Sequence, residues 1–206
     1  MTRGRRPGAE GREKRRPAAA DGDWRFDPHG LIPSARQIPS PNFDERPDGA
    51  AIELIVVHNI SLPPGQFGGP GIVELFTNRL DPAEHPYYRE IEGLRVSSHF
   101  LIRRDGELIQ FVPCVRRAWH AGKSEWRGRG RCNDFAVGIE LEGADDAPFE
   151  DVQYLQLVRL ARALGRTYPI ADCVGHSDIA TPAGRKTDPG PFFDWPRFRS
   201  LLKNSA

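Results

Sequence analysis

A run near the C-terminus, from Gly175 to Pro191 (GHSDIATPAGRKTDPGP), sets a histidine, two aspartates, a lysine and an arginine among glycine, proline and threonine. Such a segment has no apolar face to bury and reads as a loop. It follows a short apolar run, Ile170 to Val174, and catalytic groups concentrate on loops carried by a rigid scaffold. Far upstream another apolar run, Ile55-Val56-Val57, ends in His58 and Asn59. His58 and His176 thus both sit where a buried strand meets a polar loop, held by the sheet yet open to solvent. With one carboxylate they make the three-ligand set of a catalytic zinc, which keeps a fourth position for water. Asp178 and Asp188 compete for that carboxylate. Asp178, two residues after His176, has turn capping as its ordinary alternative, whereas Asp188 stands in a rigid turn before Pro189-Gly190. No HExxH occurs in the chain, which excludes a helix-borne protease site.

Metal-assisted amide hydrolysis also needs a base for the water and a group facing the oxyanion. Glu140, inside the apolar pattern Gly-Ile-Glu-Leu, is the best base, because a carboxylate in a core strand is costly without a partner or a task. The bland alternative is an ion pair with one of the many arginines. Lys186, two residues before Asp188, is the best oxyanion stabiliser; the alternative is an ordinary solvated lysine. Four histidines remain. His29 belongs to a peripheral segment and His85 to a Pro-flanked exposed loop. His99, within VSSHFLI, reads as a hydrogen-bonded strand histidine. His120, after Trp119 and before Ala-Gly, is balanced between lining a site and packing.

The elements that must position these groups follow from apolar periodicity. Ala51–Val57 reads as a central strand. Residues 61–70 (SLPPGQFGGP) admit no regular structure, 71–80 has the spacing of a short helix, and 81–94 reads as irregular. Residues 96–103 and 107–112 are β-rich and flank Asp105-Gly106, a hairpin turn. Residues 120–134 form a Gly- and Arg-rich loop before a third core strand, 135–141. The clearest helix is 151–164, with Val152, Leu155, Val158 and Leu164 on one face and Gly165 as its stop. Asp194 can cap a last helix whose first turn accepts Pro196. Residues 31–50, rich in proline and serine, are expected to wrap the surface. Interspersed strands and helices with one antiparallel hairpin imply a mixed α-β fold: a single domain with a central mixed β-sheet flanked by helices.

The 206 residues are enough for one domain with a sizeable core. A formal net charge of +1 points to neither a nucleic-acid nor a membrane partner, and no apolar stretch approaches the roughly 20 residues of a membrane span. Cys114, Cys132 and Cys173 fit neither a zinc motif nor a disulfide framework and read as reduced thiols of a cytoplasmic protein. Residues 1–23 carry several arginines without an apolar core behind them, so no secretory signal is expected. They read as a disordered, solvated basic tail, with the ordered domain spanning 24–206.

Several segments, VVHNISLPPGQFGGPGI, LRVSSHFLIRRDGELIQFVP, RAWHAG, RCNDFAVGIELEG and GHSDIA with GRKTDPGPFFDW, closely resemble the 1,6-anhydro-N-acetylmuramyl-L-alanine amidases of the AmpD type. These cytosolic enzymes belong to the wider group of zinc amidases and peptidoglycan-recognition proteins. The resemblance runs in order from about Gly30 to Leu202. It implies a mixed sheet with its site in a groove at one edge, and one zinc ion per chain held by His58, His176 and Asp188. It gives Glu140 the general-base role and Lys186 a transition-state role. It implies a muropeptide partner, 1,6-anhydro-muramoyl peptide, cut between the lactyl group and L-alanine; a monomer is expected. Less directly, it places Tyr87 near the metal and Asn59, Arg95, Trp119 and Arg131 along the substrate groove. Where the family reads HSDIAPGRKTDPG, this chain reads HSDIATPAGRKTDPG, two residues longer between His176 and Lys186. The rival readings are an amidase of intact peptidoglycan and a non-catalytic muropeptide sensor. The excursion 61–94 after the first ligand is expected to act as a lid that moves on substrate binding.

Overall fold

The computed structural model describes residues 24–204; the tail expected over 1–23 lies outside them. In chain order the elements are β1 (Arg36–Gln37), β2 (Phe43–Glu45), β3 (Leu54–Ile60), α1 (Gly71–Phe76), α2 (Pro86–Glu90), β4 (Phe100–Ile102) and β5 (Leu108–Gln110). There follow β6 (Arg116–Ala118), β7 (Glu125–Trp126), β8 (Arg129–Gly130), β9 (Ala136–Glu142), α3 (Asp151–Thr167), β10 (Asp172–Gly175), α4 (His176–Ile179) and α5 (Trp195–Asn204). Six strands make one sheet in the order β1-β5-β4-β9-β3-β10. Only β4 and β5 within it pair antiparallel. They are joined by the turn at Asp105-Gly106, where Gly106 takes φ 83°, a conformation that costs glycine nothing. The mixed sheet is the one read from the sequence.

Strand parity explains which side chains go where. Successive residues of a strand point to opposite faces. Ile55 and Val57 of β3, with Val137, Ile139 and Leu141 of β9, join the main core under Leu157, Leu160 and Leu164 of α3 and Phe198 of α5. Leu54 and Val56, with Ala136 and Val174, pack on the other face. The same parity carries His58 and Glu140 onto that second face, and the parallel register sets them directly opposite one another. β10 runs parallel to β3, pairing Gly175 with Val57, so His176 emerges beside His58.

Several expectations need correction. β3 does not stop at Val57 but continues through His58 to Ile60, because the ladder to β9 persists to Glu142. α3 runs past Gly165 to Thr167. It ends where Tyr168 precedes Pro169 and is forced extended, at φ −125° and ψ 153°. Its buried face includes Tyr154, Leu157, Leu160 and Ala161, whereas Leu155 is 53% exposed. The segment 81–94 contains α2, capped by His85, whose Nδ1 accepts from the Tyr87 amide. The polar run after Gly175 opens with one helical turn rather than a loop. Residues 31–50 do more than wrap: Arg46 donates to the carbonyls of Cys114, Asn133, Asp134 and Ala136. The expected N-terminal cap of the last helix is present, since the Arg197 amide donates to Asp194 Oδ1 at 2.9 Å.

Candidate metal centre and its cleft

At the C-terminal ends of the parallel strands β3, β9 and β10, His58, His176 and Asp188 converge on one point. The Nδ1 atoms of the two histidines are 3.1 Å apart. Asp188 Oδ2 lies 2.9 Å from His58 Nδ1 and 3.0 Å from His176 Nδ1. Tautomers follow from the opposite nitrogens. His176 Nε2 is 3.0 Å from the Ala121 carbonyl, which can only accept, so the His176 proton sits on Nε2. His58 Nε2 faces His120 Nδ1 at 3.0 Å. Donating there leaves both Nδ1 lone pairs and a carboxylate oxygen aimed at one another, an arrangement that calls for a cation. Tetrahedral zinc, with Zn–N near 2.0–2.1 Å, separates its ligand atoms by about 3.3 Å. The observed spacings need only a few tenths of an ångström of expansion, so the donor set fits.

Charge and burial agree. Burial disfavours a cationic His58 most, against the upward pull of Asp188. Burial pushes the Asp188 carboxyl up, but hydrogen bonds with His176 and His58 outweigh it and hold the group well below the usual carboxylate range. Asp178 is not in the cluster. Its Oδ2 accepts from the Gly175 amide at 2.7 Å, the turn-capping alternative. The Asp188 segment is tied back by the Ser177 amide, which donates to the Asp188 carbonyl at 2.9 Å.

Glu140 stands opposite His58 across the ladder and is 7% exposed. Its Oε2 is buried without a hydrogen-bond partner. Burial, then the nearby Asp188, raises its carboxyl well above the ordinary value, with Lys186 opposing. Lys186 is exposed and lines the same cleft. That cleft, about 790 Å³, opens over the cluster. Leu62, Leu75, Phe76 and Val96 give it an apolar wall, and Asp145, Asp146 and Lys186 a charged rim.

The residues set along the groove divide. Asn59, Tyr87 and Trp119 line the cleft. Arg95 borders a separate, smaller hollow of about 50 Å³ beside Leu75 and Leu94. Arg131 is exposed, adopts φ 60° and pairs with Asp134 at 3.1 Å. Asn59 also has a structural partner, donating to Asp145 Oδ1 at 2.6 Å.

Two supporting groups, Asp145 and Asn133, escaped the sequence reading, and a third, His120, was left open by it. Asp145 accepts from Asn59, which follows His58, and through its other oxygen from Thr187, which precedes Asp188. It so clasps the two ligand-bearing arms, and Gly190 must lack a Cβ because one would meet Asp145 Cα at 2.7 Å. Asn133 Oδ1 accepts from the amides of His120 and Ala121 at 3.2 and 2.9 Å. His120 itself is buried beside His58. Only His120 carried a signal, as one of two readings for an unplaced histidine. His99 is the hydrogen-bonded histidine expected: Gly138 donates to its Nδ1 at 3.1 Å, and its Nε2 meets the Arg116 carbonyl at 3.0 Å.

A mixed sheet that delivers two histidines and two carboxylates to the floor of a cleft defines a candidate metallohydrolase. The chain belongs to the N-acetylmuramoyl-L-alanine amidase family, whose model matches residues 48–191. It is similar to the 1,6-anhydro-N-acetylmuramyl-L-alanine amidase AmpD of Salmonella typhimurium strain SL1344, at 58% identity over 179 residues, 86% of this chain and 95% of that protein. A crystal structure of a selenomethionine AmpD derivative matches with a TM-score of 0.82 at 56% identity, covering 86% of this chain and 98% of that one. The amidase AmiD from E. coli, in complex with anhydro-N-acetylmuramic acid-L-Ala-D-γ-Glu-L-Lys, matches with a TM-score of 0.54 at 29% identity, covering 78% and 65%.

Proposed function

We infer that this chain hydrolyses the amide joining the lactyl group of 1,6-anhydro-N-acetylmuramic acid to L-alanine in cell-wall turnover fragments, as an enzyme of peptidoglycan recycling. The observation that carries the reading is the His58–His176–Asp188 cluster under an open cleft, in a chain 58% identical over almost the whole length of an amidase named for that bond. His58, His176 and Asp188 hold one zinc ion. When bound, zinc acidifies a water and polarises the amide carbonyl.

The chain's own groups supply the rest. Glu140, kept in a dry setting that raises its carboxyl well above the ordinary value, is the general base. It removes the proton from the attacking water and returns it to the L-alanine nitrogen as the C–N bond breaks. The Lys186 ammonium, at the cleft rim, faces the oxygen on which negative charge develops. Asn59, Tyr87 and Trp119 contact the substrate along the cleft. Arg95 and Arg131 lie outside its lining and are assigned to the carboxylates of the stem peptide, which a guanidinium pairs with bidentately.

The catalytic domain is assigned to 24–206, the protein is a monomer, and its location is cytoplasmic. The location is supported by three free cysteines, typical of a reducing compartment. Among the described residues no helix is long and apolar enough to cross a membrane. The test is mass spectrometry of zinc-loaded protein incubated with 1,6-anhydro-muramoyl tripeptide. Free tripeptide and anhydro-muramic acid are the expected products. Intact substrate, from protein shown to be folded and metal-bound, overturns the reading in favour of a muropeptide sensor.

A further inference from the structure

Two buried histidines stand outside the ligand set: His99 has partners on both ring nitrogens, and His120 does not. Its ring stands nearly perpendicular to that of His58, at 86°, with centroids 5.1 Å apart. Its Nδ1 is 3.0 Å from His58 Nε2, while its own Nε2 is buried with no hydrogen-bond partner. A neutral imidazole has one donor and one acceptor nitrogen. If His58 is to offer a lone pair at Nδ1, its proton must sit on Nε2, and His120 Nδ1 is the acceptor placed to receive it. His120 then carries its own proton on the orphaned nitrogen. A buried donor without a partner is destabilising, because it gives up its hydrogen bond to water and gains none in return. A phenylalanine or leucine would fill the same space without that penalty, so packing alone does not account for a histidine here.

The surroundings are shaped to hold the ring. A Cβ added to Gly138 would lie 2.5 Å from His120 Cγ and 2.7 Å from its Nδ1. The strand position beneath the ring must therefore be glycine for steric reasons alone. Asn133 fixes the backbone by accepting from both the His120 and the Ala121 amide. The next carbonyl, that of Ala121, is the one that faces His176 Nε2. One dipeptide thus meets the remote nitrogens of both histidines in the cluster.

We propose that His120-Ala121, anchored by Asn133 and seated on Gly138, fixes the tautomers of both metal-binding histidines, with His120 as the positioning residue for His58. The inference rests on His58, His176 and Asp188 being the metal ligands. Outer partners of this kind typically change metal affinity by about 10- to 100-fold.

The test compares the full-length protein with His120→Asn and His120→Phe by zinc competition against a chromogenic chelator. Circular dichroism checks folding in the metal-free state. Asparagine keeps an acceptor oxygen near the position of Nδ1, and phenylalanine keeps only the bulk. The expected result is zinc affinity within a few-fold of wild type for His120→Asn and about 10- to 100-fold weaker for His120→Phe. Imidazole 15N spectra of the zinc-loaded wild type, which need no variant to fold, should show His58 protonated at Nε2. Equal affinity of His120→Phe and wild type overturns the proposal. So does a folded His120→Asn as weak as His120→Phe, or a His58 proton on Nδ1. Wild-type protein that binds no zinc overturns the ligand assignment itself, and the proposal with it.

Discussion

Two arms of the molecule bring the reactive groups together, and they are built differently. His58 and Glu140 ride on β3 and β9, adjacent inner strands that are paired on both sides. Their positions are set by a continuous ladder from Leu54–Ala136 to Ile60–Glu142. His176, Lys186 and Asp188 follow the edge strand β10 in a segment held by separate contacts: Ser177 to the Asp188 carbonyl, Asp178 to Gly175, and Thr187 to Asp145. A ladder distributes the work of positioning over many backbone bonds, so no one side chain decides it. The looped arm depends on a few named side chains and should be the easier to disturb.

The sharpest break is Asp188→Ala, which takes a ligand from the looped arm. Stoichiometric zinc and turnover should both be lost, with an unchanged circular dichroism spectrum; retained zinc would remove Asp188 from the ligand set. Glu140→Gln strikes the ladder arm at its chemistry and not its geometry. Zinc content should stay at one per chain while kcat falls about 10²- to 10⁴-fold, the usual worth of a general base. A near wild-type rate would end the base assignment. Asp145→Ala should open the clasp and weaken zinc binding by about 10-fold, in the range of outer-shell partners. Equal affinity would show that the looped arm holds itself.

A fourth prediction probes the ladder arm without touching the centre. His99, buried under β9, has its conjugate acid pushed down to about 3, by burial first and then by the Arg46 charge. Between that value and the unfolded pKa of about 6.5 the unfolded chain binds more protons than the folded one. Stability of metal-free protein should therefore fall as pH drops through this window, by up to about 1.4 kcal/mol per pH unit from this group. Denaturant titrations of His99→Gln should give a shallower slope, and an identical slope would assign the loss to other groups. The smallest effect concerns the excursion 61–94. Ile72, Leu75, Phe76 and Tyr88 are buried in a core cluster, and the Gly68 amide donates to Glu142 at 2.6 Å. Hydrogen exchange should slow on substrate binding at the exposed tip, 64–67, and hardly change in α1. A uniform change over the whole stretch would restore a lid of full length.

The same contrast explains what could be read beforehand. His58 and His176 were legible because each sits where apolar residues give way to polar ones, although β3 itself runs past that boundary to Ile60. The hairpin at Asp105-Gly106 and the cap at Asp194 were legible because their chemistry is local. The choice between Asp178 and Asp188 was not settled by residue type, since both occupy turns; it turned on which carboxylate a backbone amide had claimed. Asp145, Asn133 and Gly138 had no local signal. Their roles come from distant segments meeting, such as Gly138 beneath His120. The exposed Leu155 and the passage of α3 beyond Gly165 show tertiary contact overriding periodicity and propensity.

The stretch between Ala180 and Arg185 has a consequence for how this protein can change over generations. Its turn, Pro182–Gly184, is exposed, and both of its ends are pinned. The Thr181 amide donates to the Lys123 carbonyl, and the Arg185 side chain donates to the carbonyls of Thr181, Ala121 and Lys123. Residues gained or lost between those pins lengthen or shorten an exposed turn while the pinned segments on either side keep their places. The length of this turn can thus vary from one lineage to another with little consequence for the chemistry on either side of it.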